Sequence, residues 1–371
     1  MKKHIILILI TLAFSGCVKD HQNIKSLTKE QIKNSLVNVD QGEDFYDKKD
    51  YANALIHFKK AADFNNPKAL FYLGLMYDKG YGLPRDYNKA LDYYRLSSSY
   101  GYVAATNNLG IMYNYGLGVK KNLNTACLMF KKAVDNGGSS ISYDNLALCY
   151  EKGLGDFKKD DGKAIEYYKK AIELGNEGSI YYLAVLYDDK KDYEKSFELF
   201  KKASEVKNKE VKRKGLYSVG TFYYDGDIVN KDYKKAVEYF EKAAELGLSE
   251  AYNYLGIAYE DGEGVKKNYA KAFFNYKKAA ELKNMYGLYN IGRCYRYGIG
   301  VKKDINKVIK YYNLSGDLGH SDAYYNLSII YKEGANGIKK DYDIAFDYLV
   351  KAAKMGDKEA KSVLASVGQD F

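Results

Sequence analysis

The sequence predicts an all-α fold, an α/α superhelical solenoid of about nine helix pairs. Three observations carry that expectation. A small residue follows an aliphatic one at Gly74, Gly110, Ala147, Ala184, Gly220, Gly256, Gly292 and Ser328, in steps of 36 or 37 residues. Three residues beyond each stands a tyrosine, from Tyr77 through Tyr331. The chain also has only two prolines, so long helices go unbroken and its 33 glycines act as punctuation. At 371 residues it exceeds what one hydrophobic core usually serves, and a repeat resolves that difficulty.

Taken in chain order, the first segment is "MKKHIILILITLAFSGC", with a basic start and an apolar run from Ile5 to Phe14. That run is too short for a mature membrane span and suits a signal peptide over residues 1–16. Phe14-Ser15-Gly16-Cys17 resembles the bacterial lipobox, which implies cleavage before Cys17 and lipidation of its thiol. Phe14 replaces the usual leucine. Val18 follows where an aspartate would imply retention in the inner membrane, so the outer membrane is expected. Residues 17–34 read as a polar tether ending in a short helical start, with Thr28 and Gln31 spaced as a capping box.

Each repeat then reads as helix A, a turn and helix B. Helix A ends at glycine, which takes a left-handed conformation without a Cβ clash. Helix B opens at Asp50, Asp86, Asn122, Asp160, Asp192, Asp232, Asn268, Asp304 and Asp341, all side chains that cap free N–H groups. Eight residues into B comes an aromatic or a leucine, from Phe58 to Leu349, expected to fill the space beside the small residue of helix A. Residues 357–371 are expected to supply a closing helix, "DKEAKSVLASV", and a tail.

The motifs "LGLMYDKGYGL", "LGIMYNYGLGV", "LGIAYEDGEGV" and "IGRCYRYGIGV", each followed by a cap and a helix B, resemble those of the Sel1-like repeat family, which is related to tetratricopeptide repeats. The resemblance implies Sel1-like repeats over residues 67–356. The units near 35–66 and in the middle ("DDKKDYEKSFELF") lack the glycine loop and look like plain tetratricopeptide repeats.

"DGEGVKKN" (Asp261–Asn268) has the glycines and lysines of a phosphate cradle. A helix precedes it, however, and a cap already occupies the following N-terminus, so a turn is expected. Cys127, Cys149 and Cys294 fall at core positions and are expected to act as small hydrophobes without a disulfide framework. His4, His21, His57 and His320 are scattered, so no metal site and no cofactor are expected. The formal charge of +10, or +8 beyond Lys2 and Lys3 of the leader, reads as a solvated lysine face rather than a nucleic-acid surface.

The resemblance also implies function. Some relatives have been linked to β-lactam binding or hydrolysis; "SLTK" (Ser26–Lys29) and "SEVK" (Ser204–Lys207) match one element of such a site, and its other motifs are missing. A non-enzymatic scaffold is therefore expected, with β-lactam chemistry or peptidoglycan binding as alternatives. In tetratricopeptide superhelices helix A lines a concave groove. Two residues before the small position this chain has Asn108, Asn145, Tyr182, Tyr254, Asn290 and Asn326. Three before it stand Tyr181, Tyr217, Tyr289 and Tyr325. Asparagine can pair both ways with a peptide backbone, and tyrosine offers an apolar face with a hydroxyl. The competing reading makes the asparagines bridges between helices and the tyrosines core. The expectation is a monomeric, lipid-anchored envelope protein whose A helices bind a protein or peptide, as adaptor or as neutraliser of a toxin.

Overall fold

A computed structural model describes residues 27–334, 337–366 and 368. The signal peptide, Cys17 and Ser26 lie outside them. The chain forms two compact units, one reaching to Lys121 and one beginning at Asn122. The first holds α1 (Lys29–Asp47), α2 (Tyr51–Ala62), α3 (Pro67–Lys79), α4 (Tyr87–Ser99) and α5 (Val103–Tyr115). The second continues with α6 (Leu123–Asp135), α7 (Ser140–Lys152), α8 (Asp161–Glu173), α9 (Glu177–Asp189) and α10 (Tyr193–Glu205). Next come α11 (Lys209–Asp225), α12 (Tyr233–Glu245), α13 (Ser249–Asp261), α14 (Tyr269–Glu281) and α15 (Met285–Tyr297). It closes with α16 (Ile305–Asp317), α17 (Ser321–Glu333), α18 (Tyr342–Lys354) and α19 (Lys358–Ser366). Odd-numbered helices up to α17 are the A helices and even-numbered ones the B helices. No strand occurs among the described residues. The division falls in a regular interhelix turn, where the repeat period shows no break.

All nine expected openers cap their helices. Each side chain accepts a backbone N–H two or three residues on, as Asp232 does from Lys235 and Asn268 from Lys271. Thr28 and Gln31 form the reciprocal capping box. In the "DGEGVKKN" turn, Gly262 ends α13 at φ +81° and Gly264 follows at +70°. A Cβ on Gly264 would run into the Tyr233 carbonyl at the start of the preceding B helix. That second glycine therefore serves inter-repeat packing as well as chain reversal. Where the glycine loop is missing, the tetrapeptide "DKKD" closes a shorter turn, and Lys49 and Lys191 take the left-handed conformation themselves (φ 62° and 60°).

The small residue of helix A works by close approach. A Cβ on Gly292 would lie 2.6 Å from the ring of Tyr312, so that ring can lie directly on the helix backbone. Phe58, Tyr94, Phe240 and Tyr276 lie on a helix A glycine in the same way, Phe130, Tyr168 and Phe200 are buried too, and Leu349 in the last repeat is half-buried. Two of the buried tyrosines bond the helix A residue four past the small one. Tyr168 donates to Glu151 (2.6 Å) and Tyr276 to Glu260 (2.7 Å), whereas Phe240 faces Tyr224. The Tyr168 and Tyr276 hydroxyls thereby have a polar partner within the core. The closing helix α19 is present and buries Ala360 and Leu364 in the last hydrophobic cluster.

The tyrosine three past the small position stacks on a helix B ring in several repeats, as in Tyr295–Tyr311 (5.9 Å, 4°) and Tyr77–Tyr93 (5.6 Å, 11°). A helix B lysine also lies over its ring. Lys89, Lys163, Lys195, Lys235, Lys271 and Lys307 sit 4.7–5.2 Å from Tyr77, Tyr150, Tyr187, Tyr223, Tyr259 and Tyr295. Five of these lysines also reach their own capping aspartate, at 2.5 Å for Lys195 and 3.3 Å for Lys307. Each cation–π contact is worth about 0.5–1 kcal/mol at such exposed sites. Part of the lysine face is therefore structural.

The cysteine expectation is corrected. Cys127 and Cys149 form a disulfide between α6 and α7, with Cα atoms 5.9 Å apart. Each position does belong to the core, but the two core positions face one another across the seam from helix B to the next helix A. Phe197 and Phe222 hold the same two positions and touch at 5.3 Å. Two cysteines placed there meet as the phenylalanines do. Closing a loop of 22 residues of sequence contributes about 3 kcal/mol in the chain-entropy account. Cys294 alone among the described cysteines stays free and buried, and burial pushes its thiol up to about 12.

Candidate functional site

The ten groove candidates all lie on A helices, in different environments. Asn108 on α5 sits beside the Tyr94 hydroxyl, and Asn145 on α7 is half-buried. On α9, Tyr181 packs against Phe200, while Tyr182 is 46% exposed. The remaining six fall on α11, α13, α15 and α17, where two neighbouring arrangements differ.

Between α13, α15 and α17 the ladder positions are tied together. Asn290 is buried, donating to Asn253 (2.9 Å) and accepting from Arg293 (3.1 Å). Arg293 also pairs with Glu260 at 3.1 Å, which in turn accepts from Tyr276. Asn326 donates to the Tyr289 hydroxyl (3.3 Å) and accepts from Arg296 (2.7 Å). Tyr289 lies stacked between Tyr312 (5.3 Å) and His320 (4.7 Å). Burial holds the His320 imidazole below its ordinary pKa, against the pull of Asp322. These asparagines bridge neighbouring A helices. Tyr325, half-buried, packs against the same cluster.

Between α11, α13 and the start of α15 the same register leaves space. A cleft of about 550 Å³ is lined by Tyr217, Tyr224, Glu250, Asn253, Tyr254, Ile257, Asn284 and Tyr286. Tyr254 meets Tyr224 edge-on (5.4 Å, 84°) and Tyr217 at 68° (5.7 Å), so the rings form walls rather than a stack. Tyr224 donates its hydroxyl to Glu263 at 2.6 Å. Burial raises the pKa of Tyr217 and Tyr224 and keeps both phenols neutral. Tyr286, 49% exposed, stands at the rim. The ladder signal reached Tyr217 and Tyr254. It missed Glu250 and Tyr286, which sit one helical turn earlier, six residues before Gly256 and Gly292; a helix face spans those positions too.

The other chemical candidates are placed as follows. No group of acidic, histidine or cysteine residues fit to hold a metal occurs among the described residues. His57 bonds to Asn38 at 3.0 Å and stacks on Phe45. Ser204 borders a hollow of about 450 Å³ with Lys212 and Lys242, and its hydroxyl donates to Lys201 O of its own helix (2.6 Å). No described helix is long and apolar enough to cross a membrane.

Comparison with known proteins agrees with this architecture. The Sel1 repeat matches residues 41–63, 67–102, 103–138, 140–176, 178–207, 213–248, 249–284, 286–320 and 321–357. The two units without a glycine loop are among them, as the shorter matches. A Sel1 repeat protein from Oxalobacter formigenes is 23% identical, with a TM-score of 0.64 over 95% of this chain and 98% of that one. A protective antigen of uropathogenic Escherichia coli is 25% identical over 92% of this chain and 67% of its own, with a TM-score of 0.48. An immunity protein from Pseudomonas aeruginosa is 21% identical over 59% of this chain and 82% of its own, at 0.43. No curated protein sequence matches. With nine matched repeats filling most of its length, the chain belongs to the Sel1 repeat family.

Proposed function

We propose that this protein is a scaffold of the bacterial cell envelope, anchored by lipid at Cys17, that binds a partner polypeptide on its A helices. The observation that carries the reading is the open cleft between α11, α13 and α15. There the register that elsewhere packs helix against helix leaves tyrosine faces and a carboxylate exposed. Repeat solenoids offer such extended surfaces for partners. The Cys127–Cys149 disulfide supports export, because buried disulfides persist in oxidising compartments. The apolar leader and Cys17 support the anchor.

Replacing Tyr182 and Tyr286 together by serine tests the binding face with little disturbance of the core, since both are about half exposed. The double variant should fail to recover the partner in a pull-down from cells while keeping its thermal melt. Undiminished recovery would remove the A face from consideration. Replacing Cys17 by serine should release the protein from membranes and abolish fatty-acid labelling. A Cys17→Ser protein that stays membrane-bound would contradict the anchor.

A further inference from the structure

The cleft has the chemistry of a cation receptor. Its four tyrosines, Tyr217, Tyr224, Tyr254 and Tyr286, offer π faces that attract positive charge. Glu250 supplies the one charge among the lining residues. It accepts from the Ser249 hydroxyl at 2.8 Å and has no ion pair among the described residues. Glu263, which accepts from Tyr224, and Asp225, which acts on Tyr254, add negative potential nearby.

The molecule itself provides a comparison. Elsewhere the solenoid covers tyrosine faces with its own lysines, as in the six helix B contacts described above. Among the described residues no lysine or arginine lies over any of the four cleft tyrosines. In a chain of net charge +10, the only charged residue lining this cleft is a carboxylate, which would draw a basic group.

We propose that the cleft receives a basic side chain, arginine or lysine, presented by an extended partner polypeptide. The proposal rests on the A-helix binding reading and specifies the partner's chemistry. The cation would sit between the walls formed by Tyr217, Tyr224 and Tyr254, with Glu250 as counter-charge and Tyr286 closing the rim.

The chain has no tryptophan, so a peptide with one tryptophan can be followed by its own fluorescence anisotropy. The probes are acetyl-Gly-Ser-Gly-Arg-Gly-Ser-Gly-Trp-amide and its forms with Lys, Gln or Glu in place of Arg. The Arg and Lys peptides should bind about ten-fold more tightly than the Gln peptide, and the Glu peptide more weakly still. Glu250→Gln should remove that ten-fold preference. Tyr286→Ala, on the exposed rim, should weaken the Arg peptide while sparing the melt. Equal affinity for the Arg and Gln peptides, or a Glu250→Gln variant that still prefers Arg, overturns the proposal. Tetramethylammonium binding as tightly as the Arg peptide would assign the cleft to small quaternary amines and also overturn it. The two readings fail separately. If the tyrosine double variant loses the cellular partner while Glu250→Gln retains it, the binding face stands and the cation does not.

Discussion

Two stretches of one helix layer, a repeat apart, use the same register to opposite ends. Between α13, α15 and α17, Asn290, Asn326 and Tyr289 are held by Asn253, Arg293, Arg296 and His320. Between α11, α13 and the start of α15, Tyr217 and Tyr254 wall an open cleft with Glu250. The difference is made by the residues around the ladder. Arg293, one past its small residue, reaches across to Glu260 and closes the packed end; Ile257, at the same position in the preceding repeat, is too short and apolar to do so. Register says which residues face the layer's surface. Their neighbours decide whether that surface is packed or available.

Breaking the packed end should have the largest effect. Arg293→Ala removes the partner of a mostly buried Glu260 and a donor to Asn290, and should cost about 2 kcal/mol in denaturant unfolding. Tyr276→Phe removes the hydroxyl bonded to Glu260 and should cost about 1 kcal/mol by the same measurement.

Acid should also distinguish the two ends. The His320 pKa is lowered in the folded state, so below the unfolded value, about 6.5, the unfolded chain binds the extra proton and stability falls with pH. The loss should begin near that value and level off once pH passes below the folded pKa. Amide hydrogen exchange should show it in α15 and α17 and much less in α11, and His320→Gln should flatten it. The smallest effect is expected at the rim. Tyr286→Ser should change stability by less than about 0.5 kcal/mol, because the side chain is half exposed. A larger loss would mean that the rim is structural after all.

Much of the fold was legible because each signal has a local cause. A cap acts within three residues and a helix-ending glycine within its own turn, so all nine openers and the closing helix were found where expected. The small residue and the ring it accommodates were also visible, being repeated eight times at fixed spacing. What stayed hidden depends on pairs brought together across repeats. Cys127 and Cys149 each looked like a core position, and only the seam geometry that also joins Phe197 to Phe222 makes them a disulfide. The lysine over each tyrosine was equally hidden, because helix B must fold back on helix A before the charge meets the ring. The cleft was half legible: the ladder led to Tyr217 and Tyr254, while Glu250 and Tyr286 come from the preceding helical turn.

The most direct test compares the two faces of the repeat in living cells. Benzoylphenylalanine is placed at Tyr286 on α15 or at Phe274 on α14, both about half exposed. Irradiation should crosslink one partner polypeptide from Tyr286, lost when Glu250→Gln is added, and should capture none of it from Phe274. Equal capture from both positions, or capture from Phe274 alone, would contradict the assignment of binding to the A helices.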